Sequence, residues 1–153
     1  MAQLGPRAFD VVISTEMLEH IPDWRAAVTN LKGVCRLGGL ILITTRAPGF
    51  PLHGAPHDYW RYTVDDIREI FSDMTIVAIE SDPQFPGVFM LARANEGTGS
   101  ADLGAVHLLS SITGRRELEV PWSSLKSLRF RTKLGMVKIR DIVLFLAREK
   151  AGA

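Results

Sequence analysis

Several things are scarce in this 153-residue chain, and each scarcity narrows the field. Cysteine occurs once, at Cys35, so no internal disulfide can form. That suits a reducing cytoplasm, and the expected location is cytoplasmic. No apolar run approaches the roughly 20 residues that a membrane-spanning helix needs. The first twenty residues lack a basic stretch followed by an apolar core, so no signal peptide is expected. Net charge is only +1, which gives no global attraction to nucleic acid or to a membrane. Length allows one domain with a proper core but not two comfortable ones.

Charge of one sign is scarce locally. Residues 1–114 carry 8 Lys and Arg against 13 Asp and Glu, whereas residues 115–150 carry 10 against 4. The chain therefore has an acidic body and a basic C-terminal stretch, with an organisational break between them.

What is present is an alternation of strand and helix signals. FDVVIS (9–14) is a continuous β-branched apolar run, which suits a strand covered on both faces. Pro22 and Asp23 can open a helix through WRAAVTNLKGVCR, with Ala26, Ala27, Leu31 and Val34 on its apolar face, Cys35 packed within it and Gly38-Gly39 as its stop. LILITTR (40–46) is the second buried strand. APGFPLHGAPHDYWRY (47–62) is too rich in proline and glycine for regular structure. Thr63 and Asp66 form a capping-box pattern ahead of a helix that turns Ile67, Ile70 and Phe71 inward. MTIVAIES (74–81) and VFMLARA (88–94) are two further strands, so close together that they should pair antiparallel. The order is β-α-β-loop-α-β-turn-β, an α/β layer with a mainly parallel sheet. The expected units are residues 1–96 as this α/β domain, 97–104 as a linker and 105–153 as a basic extension, helical or mixed. In the extension VHLLSSI and WSSLKSLRFRTKL could be helices, and VKIRDIVLFLARE helix or strand.

FDVVISTEMLEHI, LKGVCRLGGLILITTR and HDYWRYT, in that order and spacing, resemble the C-terminal half of a class I S-adenosylmethionine-dependent methyltransferase of the type 11-like kind. The likeness covers roughly Phe9 to Ala94. It implies a Rossmann-like sheet whose four strands correspond to the family's fourth to seventh, the last antiparallel. It further implies a cofactor, S-adenosylmethionine, whose methionine part approaches Thr15, Glu16, Met17 and Leu18, and methyl transfer to a small-molecule or saccharide-type acceptor. The reaction needs little beyond placement and exclusion of water, with a base if the acceptor is a hydroxyl.

His20, His57 and Asp58 are the candidate catalytic groups. A histidine titrates near neutrality, although a turn histidine often serves only as a local hydrogen-bonder. Tyr59, Trp60 and Arg61 are the candidate acceptor contacts: the rings could wall a pocket while the guanidinium clamps an anion. The plainer alternative packs both rings on the sheet and pairs Arg61 with a nearby carboxylate. Glu19 and His53 are secondary candidates. No metal site is expected, because a third ligand beside His57 and Asp58 is not evident.

The family holds its cofactor with an earlier strand and a glycine-rich loop that would precede Phe9, where only MAQLGPRA stands. The chain by itself is therefore expected to bind the cofactor poorly and to be weak or inactive; the alternative is a non-catalytic, partner-binding subunit. Without its usual neighbour, strand 9–14 becomes an apolar edge, which should be covered by homodimerisation or by the basic tail. That tail (Lys126, Arg129, Arg131, Lys133, Lys138, Arg140) is interleaved with leucines. It could lie on an anionic membrane surface, or it is the solvated face of helices packed on the sheet. No nucleic-acid module is recognisable, and no nucleic-acid partner is expected.

Overall fold

The computed structural model describes residues 7–54, 57–127, 130–132 and 134–140. Strand β1 (Phe9–Thr15) leads through a short 3-10 turn (Leu18–His20) into helix α1 (Trp24–Val34) and strand β2 (Cys35–Arg46). After the long loop come β3 (Trp60–Arg61), α2 (Val64–Ile70), β4 (Thr75–Ser81) and β5 (Gly87–Arg93). The chain then adds β6 (Leu108–Ser110), β7 (Arg116–Glu117) and a 3-10 turn over Trp122–Lys126.

The main sheet has the order β1-β2-β5-β4, with β1 and β2 parallel and β5 antiparallel to both its neighbours. This is the Rossmann-like sheet, with its last strand antiparallel, that the family resemblance implied. Asp23 caps α1 by accepting from the Ala26 amide, and Thr63 and Asp66 make the reciprocal capping box of α2. Ile67, Ile70 and Phe71 are fully buried.

Several local expectations are corrected. Helix α1 ends at Val34, not at the glycine pair, because Cys35 is already extended (φ −76°, ψ 127°) and opens β2. Cys35 is buried, but on a strand. The glycines lie inside β2, where the pairing slips between Phe9↔Cys35 and Val11↔Leu40. A Cβ on Gly39 would stand 2.9 Å from the Asp10 and Arg36 carbonyl oxygens and from Cys35 Sγ, so only glycine lets the strands approach there. The buried stripe of α1 is Trp24, Val28 and Lys32, spaced by four; Ala27, Leu31 and Val34 flank it, and Ala26 faces out. The loop 47–62 is not wholly irregular, since Trp60–Arg61 pairs with β6. VHLLSSI contains a strand, β6, rather than a helix, because Leu108–Ser110 finds free backbone partners on β3 and β7. Residues 134–140 are helical, whereas VLFLAR (143–148) lies outside the described residues.

FDVVIS is covered on one face only. Val12, Ile41, Ile43, Met90 and Ala92 turn toward both helices in one core cluster. On the opposite face Val11 is 53% and Ile13 63% exposed. This face continues across Leu42, Phe89 and Leu91, which line an apolar groove of about 310 Å³ with Ala78. No helix among the described residues is long and apolar enough to cross a membrane.

The segment after β5 is tied back by a few strong contacts. Asp73 Oδ2 accepts from the Gly99 and Ala101 amides. From α1, Arg25 reaches across to donate to the carbonyls of Leu103, Val106 and Leu118. Arg116 pairs with Asp66 at 2.8 Å.

Candidate methyl-transfer site

In an open α/β sheet a ligand site forms beyond the carboxyl ends of the parallel strands. Here the turn after β1 (15–21) and the loop after β2 (47–59) meet there. Four contacts stitch them together. The Tyr59 amide donates to the Glu19 carbonyl (2.8 Å), and His20 Nδ1 lies 2.5 Å from the His57 carbonyl. Trp60 Nε1 donates to the Ile21 carbonyl (3.1 Å), and the Tyr62 hydroxyl to that of Leu18 (3.2 Å). Tyr62 is completely buried, and burial pushes its hydroxyl pKa well above the ordinary value.

Thr15 ends β1 opposite Thr44. Glu16 takes a left-handed backbone conformation (φ 51°), uncommon for a residue with a Cβ. It is held there from both ends. Its amide donates to the Thr44 carbonyl, and its carboxylate accepts from Thr44 Oγ1 (2.9 Å) and pairs with Arg46. Arg46 in turn lies 4.1 Å over the Phe50 ring. Met17 is partly buried, whereas Leu18 is fully buried and offers no side-chain surface.

Asp58 is fully buried and makes a two-pronged pair with Arg61 (2.5 and 2.8 Å) while accepting from the His53 amide. Arg61 spends its remaining donors on the carbonyls of Phe50, Pro51 and Trp60. Tyr59 and Trp60 are buried as well, with Tyr59 edge-on to Trp122. Burial raises the Tyr59 hydroxyl pKa. Through these contacts Tyr59, Trp60 and Arg61 fasten the loop. Arg61 still borders a cleft of about 200 Å³ between Pro48, Phe50, Leu52, Leu109 and Ser110. His57 is exposed, with Nδ1 2.9 Å from the Tyr59 hydroxyl.

One grouping was not legible in the sequence. Glu19, fully buried, meets His20 and His53, and donor atoms of the three lie within 4.8 Å of one another. Glu19 Oε2 accepts from Thr45 Oγ1 (2.8 Å), but Oε1 has no hydrogen-bond partner. Burial, more than any neighbour, raises the Glu19 carboxyl pKa. The signal was present only in part. Glu19 and His20 are adjacent, but His53 is 33 positions beyond His20 and reaches it only because the loop folds back.

The profile of a methyltransferase domain family matches residues 3–80, just over half of the chain. No curated protein matches significantly. Among solved structures the fold is similar to that of 1,6-didemethyltoxoflavin-N1-methyltransferase from Burkholderia thailandensis, a structure with bound 1,6-didemethyltoxoflavin and S-adenosylhomocysteine. The two share 20% identity over 60% of this chain and 46% of the other, with a TM-score of 0.52. It is also similar to a chain of the complex between the Haloferax volcanii Trm112 methyltransferase activator and a methyltransferase: 12% identity, 63% and 58% coverage, TM-score 0.50. The chain thus spans about half the length of the solved structures it matches. Family profile and sheet order agree, and the chain belongs to the methyltransferase-domain family.

Proposed function

We propose that the chain carries the acceptor side of an S-adenosylmethionine-dependent methyl-transfer site, for a small-molecule or saccharide-type acceptor. The observation that carries this reading is Glu16, held left-handed at the carboxyl end of β1 by Thr44 and Arg46. Strained backbone of this kind persists where the surroundings over-determine it, and such places are often ligand sites. Thr15, Glu16 and Met17 would meet the methionine part of the cofactor, with Leu18 contributing main chain only. When bound, the cofactor supplies an electrophilic methyl group. The residues of the chain position and desolvate: the stitched loops keep water out, and the cleft beside Arg61 receives the acceptor. His20 and His57, both reachable from solvent, are the groups able to take an acceptor proton; Asp58, locked to Arg61, supports the loop. The described residues contain no glycine-rich strand–loop–helix unit, and their proposed contribution to cofactor binding is the turn after β1. A cytoplasmic setting suits the buried, free Cys35.

Calorimetric titration with S-adenosylhomocysteine tests this reading. The expected Kd is about 0.1–1 mM, roughly −4 to −5.5 kcal/mol, weakened further by Glu16→Ala. Absence of saturable heat at several millimolar would exclude it.

A second reading, association through β1, is favoured by the sheet order. Among the described residues β1 is paired on one side only, and Phe9, Val11 and Ile13 are exposed. The occupant proposed is a second copy, in antiparallel register about Val12. That register sets Val11 of one copy against Ile13 of the other and Asp10 against Ser14, so apolar groups meet and no like charges face each other.

A further inference from the structure

We propose that Glu19, His20 and His53 form a binding site for a divalent transition-metal ion, zinc first, where the two carboxyl-end loops meet. The case rests on lone pairs that converge without a donor. A carbonyl oxygen only accepts, so the short contact between His20 Nδ1 and the His57 carbonyl puts the ring hydrogen on Nδ1. His20 Nε2 is then a bare lone pair, and it lies 3.9 Å from Glu19 Oε1. His53 Nδ1 stands 3.1 Å from the Asp58 carboxylate, outside hydrogen-bond geometry but close enough for the negative charge to favour hydrogen on Nδ1. His53 Nε2 faces the same Glu19 Oε1 at 3.7 Å. Glu19 Oε1 itself is buried without a hydrogen-bond partner.

Two imidazole nitrogens and one carboxylate oxygen thus lie within 4.8 Å of one another, too far apart to bond each other. An ion bound at about 2.0–2.2 Å brings such atoms to roughly 3–3.5 Å from one another. The required contraction is roughly 0.5–1.5 Å, and both histidines lie on connecting segments. Charge points the same way. Asp58 is balanced by Arg61, whereas Glu19 faces no lysine or arginine at ion-pair distance among the described residues. The outer partners have the pattern that orients metal-bound histidines, one ring held by a carbonyl and the other beside a carboxylate. Gly54 completes the fit. It has φ 57°, and a Cβ there would stand 3.0 Å from His20 Cε1, so glycine leaves the ring its place. The His20 and His53 side chains are 27% and 29% exposed, which gives an ion an entry path. Three protein donors leave coordination positions for water or a ligand oxygen.

The test of the site does not depend on the methyl-transfer reading, although an ion on His20 Nε2 leaves His57 as the group to take an acceptor proton. Its test is uptake of Zn²⁺ and Co²⁺ by the chelator-stripped full chain, followed by calorimetry and by the visible absorption of bound Co²⁺. One ion per chain is expected, with affinity falling at least 100-fold in His53→Ala and in His20→Ala. His107→Ala, remote from the cluster, should bind as the parent does. Circular dichroism checks that each variant is folded, and His53→Ala, on a partly exposed loop, keeps the test meaningful if a Glu19 variant fails to fold. No stoichiometric uptake by the folded chain, or unchanged affinity in His53→Ala, would overturn the proposal.

Discussion

Lys32 Nζ lies 2.6 Å from Asp73 Oδ1, and both side chains are almost sealed from solvent. The ammonium also donates to the Ile70 carbonyl, so α1 is locked to the end of α2. Burial is the larger influence on Lys32 and lowers its pKa against the pull of Asp73. For Asp73 burial works upward, but Lys32 and the Ala101 and Gly99 amides outweigh it and hold the carboxyl below its ordinary 3.8. A carboxyl depressed in the folded state stabilises above its unfolded pKa, and that contribution is lost as pH falls through the folded value. The Asp73 contribution should therefore be constant well above pH 4 and be lost below it, whereas the lowered Lys32 pKa makes stability rise with pH only in the alkaline range, up to the ordinary 10.5. Asp73→Ala should cost about 3–5 kcal/mol at neutral pH, because it leaves a buried ammonium unpaired.

Arg25 is the main bolt between α1 and the segment after β5. Arg25→Ala removes its bonds to three carbonyls, for a loss of about 2–3 kcal/mol. That corresponds to roughly 5–10 °C in Tm. Limited proteolysis should cut faster within residues 98–104.

Gly39 tests the close approach of β1 and β2. Gly39→Ala places a methyl group against two backbone oxygens and should destabilise by about 1–3 kcal/mol, whereas Gly33→Ala meets open space and should stabilise slightly. Paired denaturant titrations measure the difference.

The edge of β1 is tested by Ile13→Lys. Ile13 is exposed, so the fold should change by less than about 0.5 kcal/mol. Light scattering over a concentration series should show a dimer for the parent chain and a monomer for the variant. A parent chain that stays monomeric would remove the second-copy reading.

Asp58 separates support from chemistry. Asp58→Asn should destabilise the fold by about 3 kcal/mol or more and so lower Tm sharply, since it strands the buried Arg61 guanidinium. A catalytic base would instead lose turnover with stability unchanged.

The sequence by itself determined the local elements of this protein. Apolar runs at 9–14 and 40–46, the Asp23 cap, the Thr63 and Asp66 capping box and the short connection between strands 74–81 and 88–94 each act over a few residues. They therefore read directly as β1, β2, α1, α2 and the β4–β5 hairpin. Tertiary structure decided what depends on distant partners. An apolar run does not reveal which of its faces will be covered, so the exposure of Val11 and Ile13 was hidden. A two-residue strand such as Trp60–Arg61 exists only because Leu109 and Ser110 come to meet it. Sequence left Arg61 open between clamping an anion and pairing with a carboxylate, and only the folded loop brings Asp58 and three carbonyls to its donors. The Glu19–His20–His53 cluster depends on a loop folding back across 33 positions, a matter of long-range packing that local spacing does not encode.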